Sequence, residues 1–194
     1  EIKDAMAYLK AVINPADEVS VKRVLNVPKR GIGDASVAKL DSFAGAEGIA
    51  FVEALRRADE AGITGPAVRG IASFVDLLDT MATVVADPDQ GPGDVLQAAI
   101  DGSGYLAELE AEDTIEAHTR IENLGELVGS AREFTVMDEF LALLDETNER
   151  LRQVWRTSNA LTFPVSATGS AGMEACFVNV VEAGTTVVIG VNGV

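Results

Sequence analysis

Val27-Pro28-Lys29-Arg30-Gly31-Ile32-Gly33-Asp34 is the stretch on which the fold of this chain turns. Both of its flanks read as helix. Upstream, Ile2, Met6, Leu9 and Ile13 recur at three- and four-residue steps until Pro15 stops them. Asp17 then stands as the cap of a second helix carrying Val21, Val24 and Leu25, which Pro28 ends. Downstream, Asp34 is placed to cap a third helix with Val37, Leu40 and Phe43 on one face, closing near Gly45. A Gly-Ile-Gly hairpin between helices is suited to gripping phosphate. Glycine admits positive φ and lets the backbone approach a ligand with no Cβ in the way. The amides from Gly33 onward open a helix N-terminus, where free N–H groups and partial positive charge favour an anion. Lys29 and Arg30 add two mobile cations. Such contacts go to the nucleic-acid backbone and carry no sequence preference. The alternative is a tight interhelical turn with exposed basic residues, and the motif by itself does not separate the two.

The helical pattern continues to about Phe140. A short helix is expected over about 51–59. Val68, Ile71, Phe74, Val75, Leu78 and Met81 mark a longer one that begins near Pro66. Asp87-Pro88-Asp89-Gln90-Gly91-Pro92-Gly93 is a loop. A helix restarts over about 94–100, breaks at Gly102-Ser103-Gly104, and makes another turn or two over about 105–110. From Thr114, the residues Ile115, Ile121, Leu124, Leu127, Val128 and Phe134 predict one long amphipathic helix, and about 138–156 predict another. The texture then changes. Leu161-Thr162-Phe163-Pro164-Val165 and Thr185-Thr186-Val187-Val188-Ile189 are strand-like runs on either side of a small-residue turn and an apolar helix, one βαβ unit. A lone βαβ unit leaves its strand faces and edges uncovered. It therefore reads as a piece of a larger α/β protein. The expected fold class is mainly α: a helical domain over 1–137, then a short α-β-α-β fragment over 138–194.

Charge sorts the partners. The 194 residues hold 31 Asp+Glu against 15 Lys+Arg, a net charge of −16, which argues against a whole-surface coat for nucleic acid or anionic lipid. The distribution is uneven. Residues 1–40 carry seven basic against five acidic side chains, or +2, while 41–140 carry five against 21, or −16. Residues 141–194 carry three against five, or −2, and all five lysines precede residue 40. Only the first segment is suited to a polyanion. The single cysteine, Cys176, excludes an intrachain disulfide and sets a reducing, cytoplasmic expectation. It and the single histidine, His118, cannot make an ordinary zinc site. Glu108, Glu110, Glu112, Asp113 and Glu116 read as a solvated helix end, with Glu116 and Arg120 spaced for an i,i+4 pair. No apolar run reaches the roughly 18 residues of a membrane helix, so no membrane partner is expected. Glu1-Ile2-Lys3-Asp4 opens directly into a helical pattern without a leader or initiator methionine, and the chain is expected to begin inside something longer.

Two longer series carry resemblances. Residues 1–15 followed by Val24-Leu25-Asn26-Val27-Pro28-Lys29-Arg30-Gly31-Ile32-Gly33 resemble the UvrD/PcrA-type superfamily 1A DNA helicases. The similarity continues through Phe51-Val52-Glu53-Ala54-Leu55, Ser103-Gly104-Tyr105 and Arg120-Ile121-Glu122-Asn123-Leu124, and covers about 1–141. It implies the all-helical insertion called subdomain 2B, which grips duplex DNA ahead of a single-strand junction and swivels to regulate unwinding. Lys29, Arg30, Gly31, Ile32 and Gly33 would then be the DNA-contacting set, acting weakly in this acidic chain. ATP would be bound by motor domains elsewhere in the parent protein. No lysine here follows a glycine, so there is no Walker A loop, no catalytic residue and no motor activity to expect.

The second series is Ser166-Ala167-Thr168-Gly169-Ser170-Ala171-Gly172, a strand-to-helix turn of phosphate-cradling type. Ala167 stands where the dinucleotide fingerprint has its first glycine, so a Rossmann reading is weak. With 138–166 and Gly190-Val191-Asn192-Gly193-Val194, it resembles the N-terminal part of class V alanine/serine–glyoxylate aminotransferases. That resemblance implies that Thr168, Gly169 and Ser170 help hold the phosphate of pyridoxal phosphate (PLP). Yet no lysine follows Lys39 to form the cofactor's Schiff base, so no transamination is expected. The primary expectation is thus a DNA-helicase fragment from a DNA-repair family, with no cofactor and no metal, joined as a chimera to the tail. The alternatives are an aminotransferase fragment holding PLP, or a ligand-free scaffold that forms a homo-oligomer or docks on itself through the βαβ edges.

Overall fold

The computed structural model describes residues 1–156, whose regular structure is entirely helical. Helix α1 (Ile2–Ile13) stops before Pro15, as a residue preceding proline is pushed out of the helical region. Helix α2 (Glu18–Val24) is capped by Asp17, whose carboxylate accepts from the Ser20 amide at 3.1 Å and the Ser20 hydroxyl at 2.6 Å. Helix α3 (Asp34–Glu47) begins one residue earlier relative to its cap than expected. Gly33 is the N-cap, in extended conformation, and Asp34 is already the first helical residue with no capping bond. Nor does α3 close at Gly45. It runs on to a left-handed Gly48 with φ +65°.

Helix α4 (Phe51–Arg56) is followed by turns, and α5 (Pro66–Ala86) takes Pro66 in its first turn. Helix α6 (Pro92–Ser103) starts inside the expected loop, because the Asp94 carboxylate accepts from the Gly91 amide at 2.9 Å. Helices α7 (Tyr105–Glu112), α8 (Ile115–Ala131, capped by Thr114) and α9 (Met137–Trp155) complete the order. The long helix expected to reach Phe134 ends at Ala131 instead. Phe134 lies in the turn beyond it, its ring 5.5 Å from that of Phe140. The expected Glu116–Arg120 pair does not form either, since Arg120 reaches back to Glu112 at 4.0 Å.

Contacts divide the chain into two units, Glu1–Leu143 and Leu144–Val194. In the first, α1 lies at the centre, packed on α2, α5, α6 and α8, while α4 joins α3 to α5. The side chains that meet there are the apolar periodic ones. Leu9, Val21, Leu25, Leu40, Phe51, Ile71, Phe74 and Leu96 are all buried to within 1%. Of the second unit, 144–155 belong to α9 and Arg156 is a turn residue with φ +49°. The βαβ unit expected over 161–189, with Thr168, Gly169 and Ser170, lies outside the described residues. No helix among the described residues is long and apolar enough to cross a membrane.

Candidate nucleic-acid interface

Beyond Val24 the chain needs a turn that leads into α3, and Asn26 organises it. Its Oδ1 accepts from the amides of Arg30 at 2.7 Å and Ile32 at 3.3 Å, so one side chain closes the loop across six residues. The Val27–Pro28 peptide is cis. Ile32 points inward, 3% exposed, and anchors the tip. Gly31 on one side of it has φ +73°, a conformation that costs an L-residue energy and glycine nothing. Gly33 on the other side is extended and caps α3 without a side chain. Ser36 and Val37 spend their amides on the Gly33 carbonyl, at 2.9 and 3.2 Å. The amides of Gly31, Gly33, Asp34 and Ala35 have no acceptor among the described residues, and all four residues are exposed. Free backbone amides opening a helix N-terminus suit an anionic oxygen. Lys29 is exposed beside them with no hydrogen bond or ion pair among the described residues. The Asp34 carboxylate, also exposed, opposes an anion at the same turn.

Arg30 is not the second mobile cation that the sequence suggests. Its Nη1 is shared among the carbonyl oxygens of Val24, Leu25, Val27 and Pro28, at 3.1, 3.2, 3.0 and 3.3 Å. Its Nη2 donates to the Tyr8 hydroxyl at 2.6 Å and the Ser103 carbonyl at 3.3 Å. Tyr8 in turn donates to the Val27 carbonyl. The guanidinium carbon lies 5.9 Å from the centre of the Tyr8 ring and 5.5 Å from that of Phe74. Burial raises the Tyr8 pKa above the usual phenol value, and the neighbouring Arg30 charge offsets part of that.

Helix α5 supports the hairpin from behind. A Cβ on Gly70 would lie 2.1 Å from the Arg30 carbonyl oxygen, so only glycine lets that backbone seat there. Tyr8, Asn26, Gly70 and Ser103 are the supporting residues that sequence reasoning missed. A glycine in the interior of an apolar-periodic helix is the one signal that pointed to Gly70.

The rest of the basic segment is largely neutralised. Lys22 pairs with Asp41 at 2.7 Å and Glu18 at 2.9 Å, and Asp41 is the main reason that its pKa is raised. Arg23 pairs with Asp4 at 2.8 Å, and Lys39 donates to the Gly62 carbonyl at 3.2 Å. Lys3 and Lys10 are not free either. Arg69, exposed and one residue before Gly70, has no charged partner among the described residues. No group of three or more His, Cys, Asp or Glu able to hold a metal ion occurs among them. His118 is exposed and 3.8 Å from Asp113.

Comparison with known proteins finds similarity over the same part of the chain. Residues 1–60 match the family described as UvrD-like helicase C-terminal domain. The ATP-dependent DNA helicase UvrD1 of Mycobacterium leprae is 39% identical over 138 residues, covering 70% of this chain and 17% of the relative. The ATP-dependent DNA helicase PcrA of Bacillus subtilis is 33% identical over 139 residues, 72% of this chain and 18% of the relative. UvrD1 of Mycobacterium tuberculosis H37Rv is 36% identical over 152 residues, 77% of this chain and 19% of the relative. The chain thus spans less than a fifth of the length of these relatives, and it resembles the C-terminal region of UvrD/PcrA ATP-dependent DNA helicases.

Proposed function

We propose that residues 1–141 are the duplex-contacting regulatory subdomain, 2B, of a UvrD/PcrA-type DNA helicase, without motor activity of its own. The observation that carries this reading is the exposed hairpin, where, among the described residues, the amides of Gly31, Gly33, Asp34 and Ala35 have no acceptor and the neighbouring Lys29 no partner. Those groups would take successive phosphate oxygens of a duplex next to a single-strand junction, with Ile32 as the buried anchor. Arg30 belongs to the set through its place in the turn. ATP would be bound and hydrolysed by the motor domains of the parent protein. No cofactor is proposed, and adding PLP should leave the absorption spectrum of the chain unchanged.

The test is binding of a short duplex with a single-stranded tail across a salt series. Two to four phosphate contacts give a slope of log K against log salt of about −2 to −4. Lys29→Glu should abolish binding that is measurable at ~50 mM salt. No binding by the wild type at that salt, or equal binding by Lys29→Glu, would overturn the proposal. Self-association through 161–189 is the competing scaffold reading, and light scattering that shows a monomer would remove it.

A further inference from the structure

We infer that Arg30 is a positioning residue, which holds the Gly31–Gly33 hairpin in its phosphate-accepting shape, and that it is not itself a phosphate ligand. The carbonyls of Val24 and Leu25 lie at the C-terminal end of α2, where the helix dipole favours a cation, and that of Val24 also accepts from the Val27 amide at 3.1 Å. Those of Val27 and Pro28 converge on the same point from the following turn. A planar guanidinium, with several donors fixed in one fork, matches such a ring of oxygens, whereas a lysine ammonium offers one point charge. Through its other nitrogen the same group reaches α1 at Tyr8 and the end of α6 at Ser103.

The backbone of Arg30 is engaged as well. Its amide is held by Asn26, and its carbonyl is seated on Gly70 of α5. To reach a phosphate, the side chain would have to abandon five carbonyls and a hydroxyl. The adjacent cations therefore divide the work: Lys29 faces outward to the ligand, and Arg30 faces inward to the turn. The DNA arm of this inference rests on the proposed function, but the conformational arm does not.

Arg30→Lys and Lys29→Gln in the full chain separate the roles. Arg30→Lys keeps the charge. It should shift the backbone amide NMR signals of Gly31, Ile32 and Gly33 and weaken binding of the tailed duplex about tenfold, with the salt slope unchanged. Lys29→Gln should leave those amide signals in place and make the slope shallower by about 0.9. Wild-type affinity and amide positions in Arg30→Lys would overturn the inference. So would a slope in Arg30→Gln that falls as it does in Lys29→Gln.

If circular dichroism shows either Arg30 variant unfolded, Tyr8→Phe keeps the cation and removes one acceptor and its link to Val27. Displaced hairpin amides then support the inference, and unmoved ones refute it. If the wild type binds no duplex, the proposed function fails while the amide signals still decide what Arg30 does.

Discussion

Gly70→Ala is the sharpest perturbation of the hairpin, because the seating of the turn on α5 reverses the usual sign of a glycine-to-alanine change. In an exposed helix interior that change stabilises by about 0.5–1 kcal/mol. At Gly70 the new Cβ would stand 2.1 Å from the Arg30 carbonyl oxygen, 3.0 Å from the Arg30 Cβ and 3.1 Å from its carbonyl carbon. Carbon and oxygen settle no closer than about 3.3 Å, so the turn must retreat by roughly 1.2 Å. Overpacking of this kind costs about 1–3 kcal/mol, which leaves a net loss of about 0.5–2 kcal/mol after the helix gain. For a chain of this size that is a fall in Tm of roughly 1–8 °C. Gly45→Ala in α3 and Gly125→Ala in α8 are the controls, since nothing lies within 4 Å of a Cβ at either position. Both should raise Tm by about 1–4 °C. Thermal and urea unfolding followed by far-UV circular dichroism measures all three. A Gly70→Ala variant that gains stability along with the controls would show that the Arg30 carbonyl is free to move, and the seating described here would be wrong.

Three further outcomes follow from single groups. Asn26→Ala leaves the amides of Arg30 and Ile32 without their acceptor and should cost about 1–3 kcal/mol, with faster hydrogen exchange at both amides. Asp17 is held below the usual carboxylate range by the Ser20 hydroxyl first and then the Ser20 amide, so its stabilisation is present above about pH 4 and lost as pH falls through the lower folded value. Asp17→Ala should thus cost about 1 kcal/mol in urea unfolding at pH 7, and progressively less as pH falls below about 4. Burial raises Tyr8, and Tyr105 is pushed up to about 12 by burial first and the Asp4 carboxylate next. Stability from these phenols is intact below pH 10 and lost as pH rises through their folded values. Absorbance at about 295 nm should show less tyrosinate in the native chain than in denaturant at about pH 10.5, with half ionisation near 10 in denaturant.

Helix ends were legible where the signal was local. Pro15 and Pro66 bound α1 and α5, and Asp17 caps α2 with bonds to a residue three positions away. Local signals also misled. Asp34 is a good capping residue by type, but extended Gly33 already fills that position, so its carboxylate is left on the surface of the first turn. The periodicity through Phe134 overran α8, because that half-buried ring lies beyond the helix end and meets Phe140 of the next helix. In the hairpin, Lys29, Gly31 and Gly33 could be singled out from eight consecutive residues. The role of Arg30 could not, because its partners come from positions 8 and 103 and its seat from position 70. Nothing in the local pattern distinguishes an arginine that turns in from a lysine that stays out.

The abutment of the turn on Tyr8, Gly70 and Ser103 has a mechanical consequence. Three helices, α1, α5 and α6, brace it from separate positions, and Asn26 closes its base. A load on the tip is passed straight into helix bodies instead of being absorbed by bending of the loop. The hairpin is a stiff probe on a rigid mount. An excised peptide of the same residues would lose all three braces, and with them the shape they impose.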